Sequence, residues 1–209
     1  MEISQKMENL PYISKTALNN YLNRNANTLR NLISYWKKNG RLIQVKRGFY
    51  VFGEFLKKGE NARFYPRFLA TKMIEPSYLS MEIVLQDYQM ITDVVYNYSI
   101  ITVKKTTSIK NQFGEFNYQS IKKELFDGFI EQEYGDMKWF VATRAKALFD
   151  YIYFNQNKFQ EISKQELDNL RLNLKEMNEN DWREYTKYLK KAPKKMTKIY
   201  KLMIQQYAD

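Results

Sequence analysis

Apolar residues recur along this chain with two different periods. Behind Ser14, residues Leu18, Tyr21 and Leu22 fall at helical spacing, the serine hydroxyl is placed to cap the first turn, and Ile13 and Leu18 can close over it as a hydrophobic staple. Asn23-Arg24-Asn25 breaks that pattern with turn-forming residues. Leu29, Leu32, Ile33 and Trp36 then share one stripe, and Gly40 follows Lys37-Lys38 as a helix stop. From Arg41 to Phe52 the period shortens to two β-prone runs about a turn containing Gly48. Helix, short turn, helix and hairpin is the order of a winged helix-turn-helix.

Downstream, Phe68, Leu69, Met73 and Ile74 predict a short helix after Pro66, closed by Pro76, and Tyr78–Met90 predicts another. Ser99–Val103 and Phe113–Ile121 read as strands, and Phe129–Tyr134 and Met137–Val141 flank Gly135-Asp136 as a hairpin. Thr143 is placed to cap a helix reaching Tyr153. Ser163–Met177, Asp181–Lys191 and Lys194–Tyr207 read as three helices, with Pro193 between the last two. The expected fold is α+β: a winged helix-turn-helix over residues 1–58, then a mixed α/β domain over 66–209 with a small antiparallel sheet and C-terminal helices from about 163. Gly53–Pro66 and Gln156–Ser163 are the expected loose connections.

Composition narrows the chemistry. The 209 residues are 44% hydrophobic, enough for a core. With no Cys and no His, disulfides, zinc fingers, thiol nucleophiles, Ser-His-Asp triads and imidazole-bound metals are excluded. The net charge of +11 points to an anionic partner. Residues 1–58 hold eleven Lys/Arg against three Asp/Glu, whereas residues 59–150 are nearly balanced at 11 against 12. Seven lysines and no acid lie between Tyr185 and Ala208. Lys187, Lys190, Lys191, Lys194, Lys195 and Lys198 there are either a solvated helix face or a second surface for phosphates or an acidic partner. The polar start MEISQKMENLP and the lack of an 18-residue apolar run predict a cytoplasmic protein with no membrane partner.

The outer side of the second helix carries Asn27, Thr28, Arg30, Asn31 and Ser34, then Lys37 and Lys38. Arg can bond guanine O6 and N7 bidentately and Asn can do the same with adenine, so this face suits a major-groove helix as well as it suits an ordinary polar surface. The hairpin beside it favours DNA. Lys46 and Arg47 at its tip, and Lys15 near the start of the preceding helix, are placed for backbone phosphates. Among acid pairs, Glu131 and Glu133 project the same way on a strand, a pattern of an outward charged edge more than of a Mg²⁺ site. Asp87/Asp93 and Asp136/Asp150 add no motif, and neither a P-loop nor a dinucleotide fingerprint is present. No catalytic residue, metal or cofactor is expected, and the protein reads as a non-enzyme.

Lys46-Arg47-Gly48-Phe49-Tyr50 resembles the basic "R-G-x-Y" wing of the AbiEi family of bacterial antitoxin-type regulators. Pro76–Leu85 is similar to that family's "yiS…AL" segment, with Val84 in place of Ala. Gly114–Tyr118 resembles its "G-x-f-x-y" strands, and Ala142–Asp150 is similar to its "a-x-p-x-K-A-l-x-D" helix, with a departure at Arg144. The resemblance covers roughly residues 10–155. It implies a transcriptional repressor that binds its own double-stranded promoter DNA, autoregulates its operon and serves as antitoxin to a nucleotidyltransferase-type toxin encoded beside it. The alternative is a protein-interaction module that neutralises a partner through its C-terminal domain, with little specific DNA binding.

Overall fold

The computed structural model describes residues 5–57 and 61–208. Its N-terminal unit runs α1 (Gln5–Glu8), β1 (Ile13–Ser14), α2 (Lys15–Leu22), α3 (Ala26–Lys38), β2 (Leu42–Lys46), β3 (Phe49–Phe52) and α4 (Gly53–Leu56). The middle runs α5 (Asn61–Lys72), β4 (Ser77–Leu79), α6 (Glu82–Asp87), β5 (Tyr98–Thr102), β6 (Thr107–Asn111), β7 (Gly114–Ser120), β8 (Phe129–Tyr134), β9 (Met137–Ala142) and α7 (Arg144–Asn155). The chain ends with α8 (Lys164–Asp168), α9 (Glu179–Leu189) and α10 (Lys194–Ala208). The fold is α+β with two sheets. Among the described residues, no helix is long and apolar enough to cross a membrane.

Short side chains start and stop the first helices. Ser14 accepts from the Ala17 amide at 3.0 Å and Asn25 from the Thr28 amide at 2.9 Å, each meeting a donor that the helix leaves free. Between them Asn23 sits at φ 46°, the left-handed conformation that ends α2. Leu18, Leu29, Ile33 and Trp36 are buried against Ile13, Leu42, Tyr50 and Phe52. Tyr21 lies off this stripe and is exposed, against its sequence assignment.

Strand β3 joins this small core to the rest of the molecule. All four of its residues are buried, because alternate side chains enter different cores. Tyr50 and Phe52 face the helices, while Phe49 and Val51 join Val45, Phe55, Tyr65, Phe68 and Met73 in the large core. Tyr12 stacks on Phe49 with ring centroids 4.7 Å apart, and the Tyr65 hydroxyl donates to the Pro11 carbonyl at 2.9 Å. The expected loose connection at Gly53–Pro66 is therefore mostly helix, with residues 58–60 outside the described residues. Pro66 lies inside α5 instead of ahead of it.

The second sheet has the order β6-β7-β5-β4-β9-β8. It is six-stranded and mixed, not a small antiparallel sheet: β5 runs parallel to β7 and β4 parallel to β9. Helix α5 covers one face, where Ser77 donates to the Ile74 carbonyl at 2.6 Å, Tyr118 donates to Ala70 at 2.7 Å, and Phe64 stacks on Trp139. Side chains one position along reach the other face: Tyr78 and Ser80 donate to Asp150 of α7, and Ser99 to Glu82 of α6. Helix α9 packs on α7 through Phe149 with Tyr185 and Tyr188, and α10 on α9 through Tyr200 stacked on Tyr185. Across the molecule the layers are N-terminal unit, α5, sheet, α6 with α7, α9 and α10.

Several other expectations need correction. Tyr78 belongs to β4, paired with Ile101, so the expected Tyr78–Met90 helix shrinks to α6. Ser163–Met177 forms the short α8, an irregular segment in which Arg171 takes φ 51° and Asn173 donates to the Met90 carbonyl at 2.9 Å, and one 3-10 turn at Leu174–Glu176. Strand β6, polar and mostly exposed, has no apolar alternation to announce it.

Candidate nucleic-acid interface

Viewed down α3, Leu29, Ile33 and Trp36 mark the buried side. With 3.6 residues per turn, Asn27, Asn31, Ser34 and Lys38 lie opposite, Arg30 and Lys37 on the flank toward the hairpin, and Thr28 and Tyr35 on the other flank. All eight side chains are exposed. Leu29, Ile33 and Trp36 pack on Leu42, Tyr50 and Phe52 of the hairpin, which sets the orientation of α3, and Lys37 donates to the Gln44 side chain of β2 at the surface. The side chains of Asn27, Arg30, Asn31, Ser34 and Lys38 form no hydrogen bond or ion pair with a described residue. Amide, hydroxyl and guanidinium groups are thus presented together on one convex rod, with their hydrogen-bonding capacity unused.

Tyr35 escaped the sequence assignment. It is 62% exposed on this helix, and its position one turn beyond Asn31 was the available signal. Lys15 is exposed at the start of α2, and its amide donates to the Gly48 carbonyl at 2.8 Å, tying the α2 N-terminus to the hairpin turn. A groove of about 220 Å³ between α2 and α3 is lined by Lys15, Thr16, Asn19, Ala26 and Leu29. Asn19 Oδ1 is buried there with no partner among the described residues.

The two hairpin cations do not act alike. Arg47 occupies the two-residue turn, is exposed, and stands ahead of Gly48 at φ 76°, a conformation that glycine adopts without strain. Lys46 instead turns inward: its ammonium donates to the Met73 carbonyl at the end of α5 and lies 5.6 Å from the Phe49 ring centre. Burial pulls its pKa below the ordinary value, partly offset by the Glu75 charge. Lys46 is therefore a tether between hairpin and α5, not a cation free at the tip. Asn111 of β6 adds a second tie, donating to the Val45 carbonyl at 3.1 Å.

In the C-terminal segment, Lys187, Lys190, Lys191, Lys194 and Lys198 are exposed, as is Lys201. Lys195 is half-buried and donates to the Phe159 carbonyl at 2.6 Å; Lys191 donates to Glu124 at 3.1 Å. These two are partly structural, which separates them from the rest of the predicted basic surface.

Of the paired acids, Asp87, Glu131, Glu133 and Asp150 each hold a basic side chain. Lys138 bridges Glu131 at 3.0 Å and Glu133 at 3.3 Å across the β8–β9 hairpin, and Asp87 receives both guanidinium nitrogens of Arg67. Among the described residues, no cluster of acids is arranged to hold a metal. Asp150 is fully buried: its carboxylate takes Lys146 at 2.7 Å, Ser80 at 2.8 Å and Tyr78 at 3.0 Å, and Lys146 also donates to the Leu125 carbonyl. Desolvation holds the Asp150 carboxyl above the usual range, against the lowering effect of Lys146 and the hydroxyls. A charge pair in the run Ala145–Phe154 was visible in the sequence as an i, i+4 spacing; its complete burial was not.

No family model matches the chain, and no curated protein matches it.

Proposed function

We propose that the N-terminal unit is a winged helix-turn-helix that reads duplex DNA with α3 in the major groove, and that the protein is a sequence-specific transcriptional repressor. One observation carries this reading: Asn27, Arg30, Asn31, Ser34 and Lys38 stand exposed on one side of a helix whose ends are capped and whose opposite side packs on the hairpin. Bidentate contacts of Arg30 with guanine and of Asn31 with adenine supply base selection, since each reproduces a pairing available only in the major groove. Arg47 at the turn and Lys15 at the start of α2 neutralise flanking phosphates and position the helix without reading sequence. Lys46 supports the wing from behind through Met73.

The antitoxin role follows from the succession of AbiEi-like motifs, in which the protein acts in the cytoplasm against a nucleotidyltransferase-type toxin. The Lys146–Asp150 pair of that succession secures α7 to the sheet, so in this reading it maintains the domain and takes no part in chemistry. Mobility shifts with the DNA upstream of the gene and with a scrambled duplex test the repressor role. Preferential binding to the upstream DNA supports it, and equal binding to both ends it. Co-expression with the product of the adjacent reading frame tests the antitoxin role through rescue of growth.

A further inference from the structure

The exposed lysines of α9 and α10 form a surface separate from α3. Lys194, Lys198 and Lys201 follow one another at i, i+4 and i+7 on the outer side of α10, whose inner side buries Met196, Ile199 and Met203. Lys187 and Lys190 add two exposed cations at the end of α9; Lys187 borders an open cleft of about 520 Å³ whose other charged residues are Arg183 and Lys191 and the acids Glu124, Asp127 and Glu184. Lys187, Lys190, Lys194, Lys198 and Lys201 form no hydrogen bond or ion pair with a described residue. The segment from Tyr185 to Ala208 contains no acid, so Lys194, Lys198 and Lys201 have none on their own helix. Lys194 also lies in the first turn of α10, where the helix dipole disfavours a cation. A surface assembled this way is stabilised by an external anion.

The side chains indicate which anion. Along the outer stripe of α10 the ammonium groups of Lys194, Lys198 and Lys201 are followed by the exposed amide of Gln205, so the stripe registers mainly charge, with far fewer directional groups than α3 presents. Tyr200 and Tyr185 turn inward onto each other, leaving the described part of the row without an exposed ring on which unpaired bases could stack. Double-stranded nucleic acid, with one charge per about 1.7 Å of axis, fits a row of point charges. The position of the row excludes the duplex held by α3. The N-terminal unit rests on α5 on one face of the sheet, whereas α10 lies beyond α7 and α9 on the other. A chain of this length has a radius of gyration of about 17 Å, and DNA with a persistence length of roughly 150 bp does not curl around so small a body without severe bending.

We propose that the α9–α10 lysine row holds a second DNA duplex, so that one molecule bridges two DNA segments. The bridge rests on the N-terminal reading, because one of its two sites is α3. The test immobilises a biotinylated duplex of the upstream DNA, adds the full-length protein, and measures retention of a fluorescent duplex of unrelated sequence. The unsubstituted protein should retain it. A variant carrying Lys187→Gln, Lys194→Gln, Lys198→Gln and Lys201→Gln should lose at least tenfold of this retention and still bind the immobilised duplex within about twofold, with circular dichroism verifying the fold. Undiminished retention overturns the bridge, as it would if two α3 helices of paired molecules joined the duplexes. Equal loss of bridging and of single-duplex affinity overturns it too, since one duplex would then touch both surfaces. A second variant, Arg30→Ala with Asn31→Ala and Arg47→Ala, separates the two readings. Unchanged capture on the immobilised duplex by this variant removes the N-terminal reading and the bridge with it, whereas the first two results remove the bridge alone.

Discussion

The outer faces of α3 and α10 are both exposed, both polar and both backed by a buried apolar stripe, yet their chemistry differs. On α3, two amides, a hydroxyl and a guanidinium stand among the cations; on α10 the projecting charges are lysines. Planar groups with fixed donor and acceptor directions can discriminate base edges, while a mobile ammonium senses only potential. Net charge alone would rank the two regions together. The directional groups separate them, and so does their support: α3 packs through Leu29, Ile33 and Trp36 on a hairpin tethered through Lys46, whereas α10 leans on aromatic stacking with α9.

The largest expected effect concerns the scaffold that both faces share. Asp150→Ala leaves the Lys146 ammonium buried without its carboxylate and should destabilise the fold by about 3–5 kcal/mol in chemical denaturation. Replacing the pair together, with Lys146→Met and Asp150→Leu, should recover most of that loss. The surviving folded fraction should keep its sequence preference, because neither residue belongs to either face.

Next in size, Arg30→Ala should cost roughly 1–3 kcal/mol on the upstream DNA and relax preference at one base pair, measured by competition with singly substituted duplexes. Arg47→Ala should weaken all duplexes alike and lower the slope of log affinity against log salt by about one unit. The contrast between these two variants sharpens the division into reading and positioning groups.

The smallest effect belongs to Lys46. Lys46→Met should leave DNA affinity within about twofold, since its ammonium serves the Met73 carbonyl. Its stability contribution has a definite sign. Burial lowers the folded pKa, so between that value and the ordinary 10.5 the unfolded chain binds the extra proton and stability rises with pH. Thermal melts of Lys46→Met should lack that rise, and a rise of equal size in the variant would show that another group causes it.

Elements that announce themselves locally were the ones foreseen from sequence. Ser14 and Thr143 cap helices, and Gly135-Asp136 turns β8 into β9, because each acts on atoms within a few residues, whereas Asn25, read only as part of a turn, proves to cap α3. Longer-range choices were hidden. Tyr78 fits a helical pattern as well as a strand, and its pairing with Ile101 decides the matter. The parallel pairing of β5 with β7 likewise depends on where β6 returns the chain. At the candidate interface, the outward position of Asn27, Arg30, Asn31, Ser34 and Lys38 followed from the apolar period, whereas the inward turn of Lys46 depends on α5 ending beside the hairpin. Tyr35 was obscured because an aromatic residue one position from the buried Trp36 reads as core.

The central claim is that α3 selects base sequence through Arg30 and Asn31. Its most direct test is a fluorescence titration of the upstream duplex and a scrambled duplex at one salt concentration, with the unsubstituted protein and with Arg30→Ala/Asn31→Ala. The unsubstituted protein should prefer the upstream duplex by about a thousandfold or more, in the range of specific regulators, and the double variant should lose most of that ratio while keeping its affinity for the scrambled duplex. Equal affinity of the unsubstituted protein for both duplexes, or a ratio that the double substitution leaves intact, would contradict the claim.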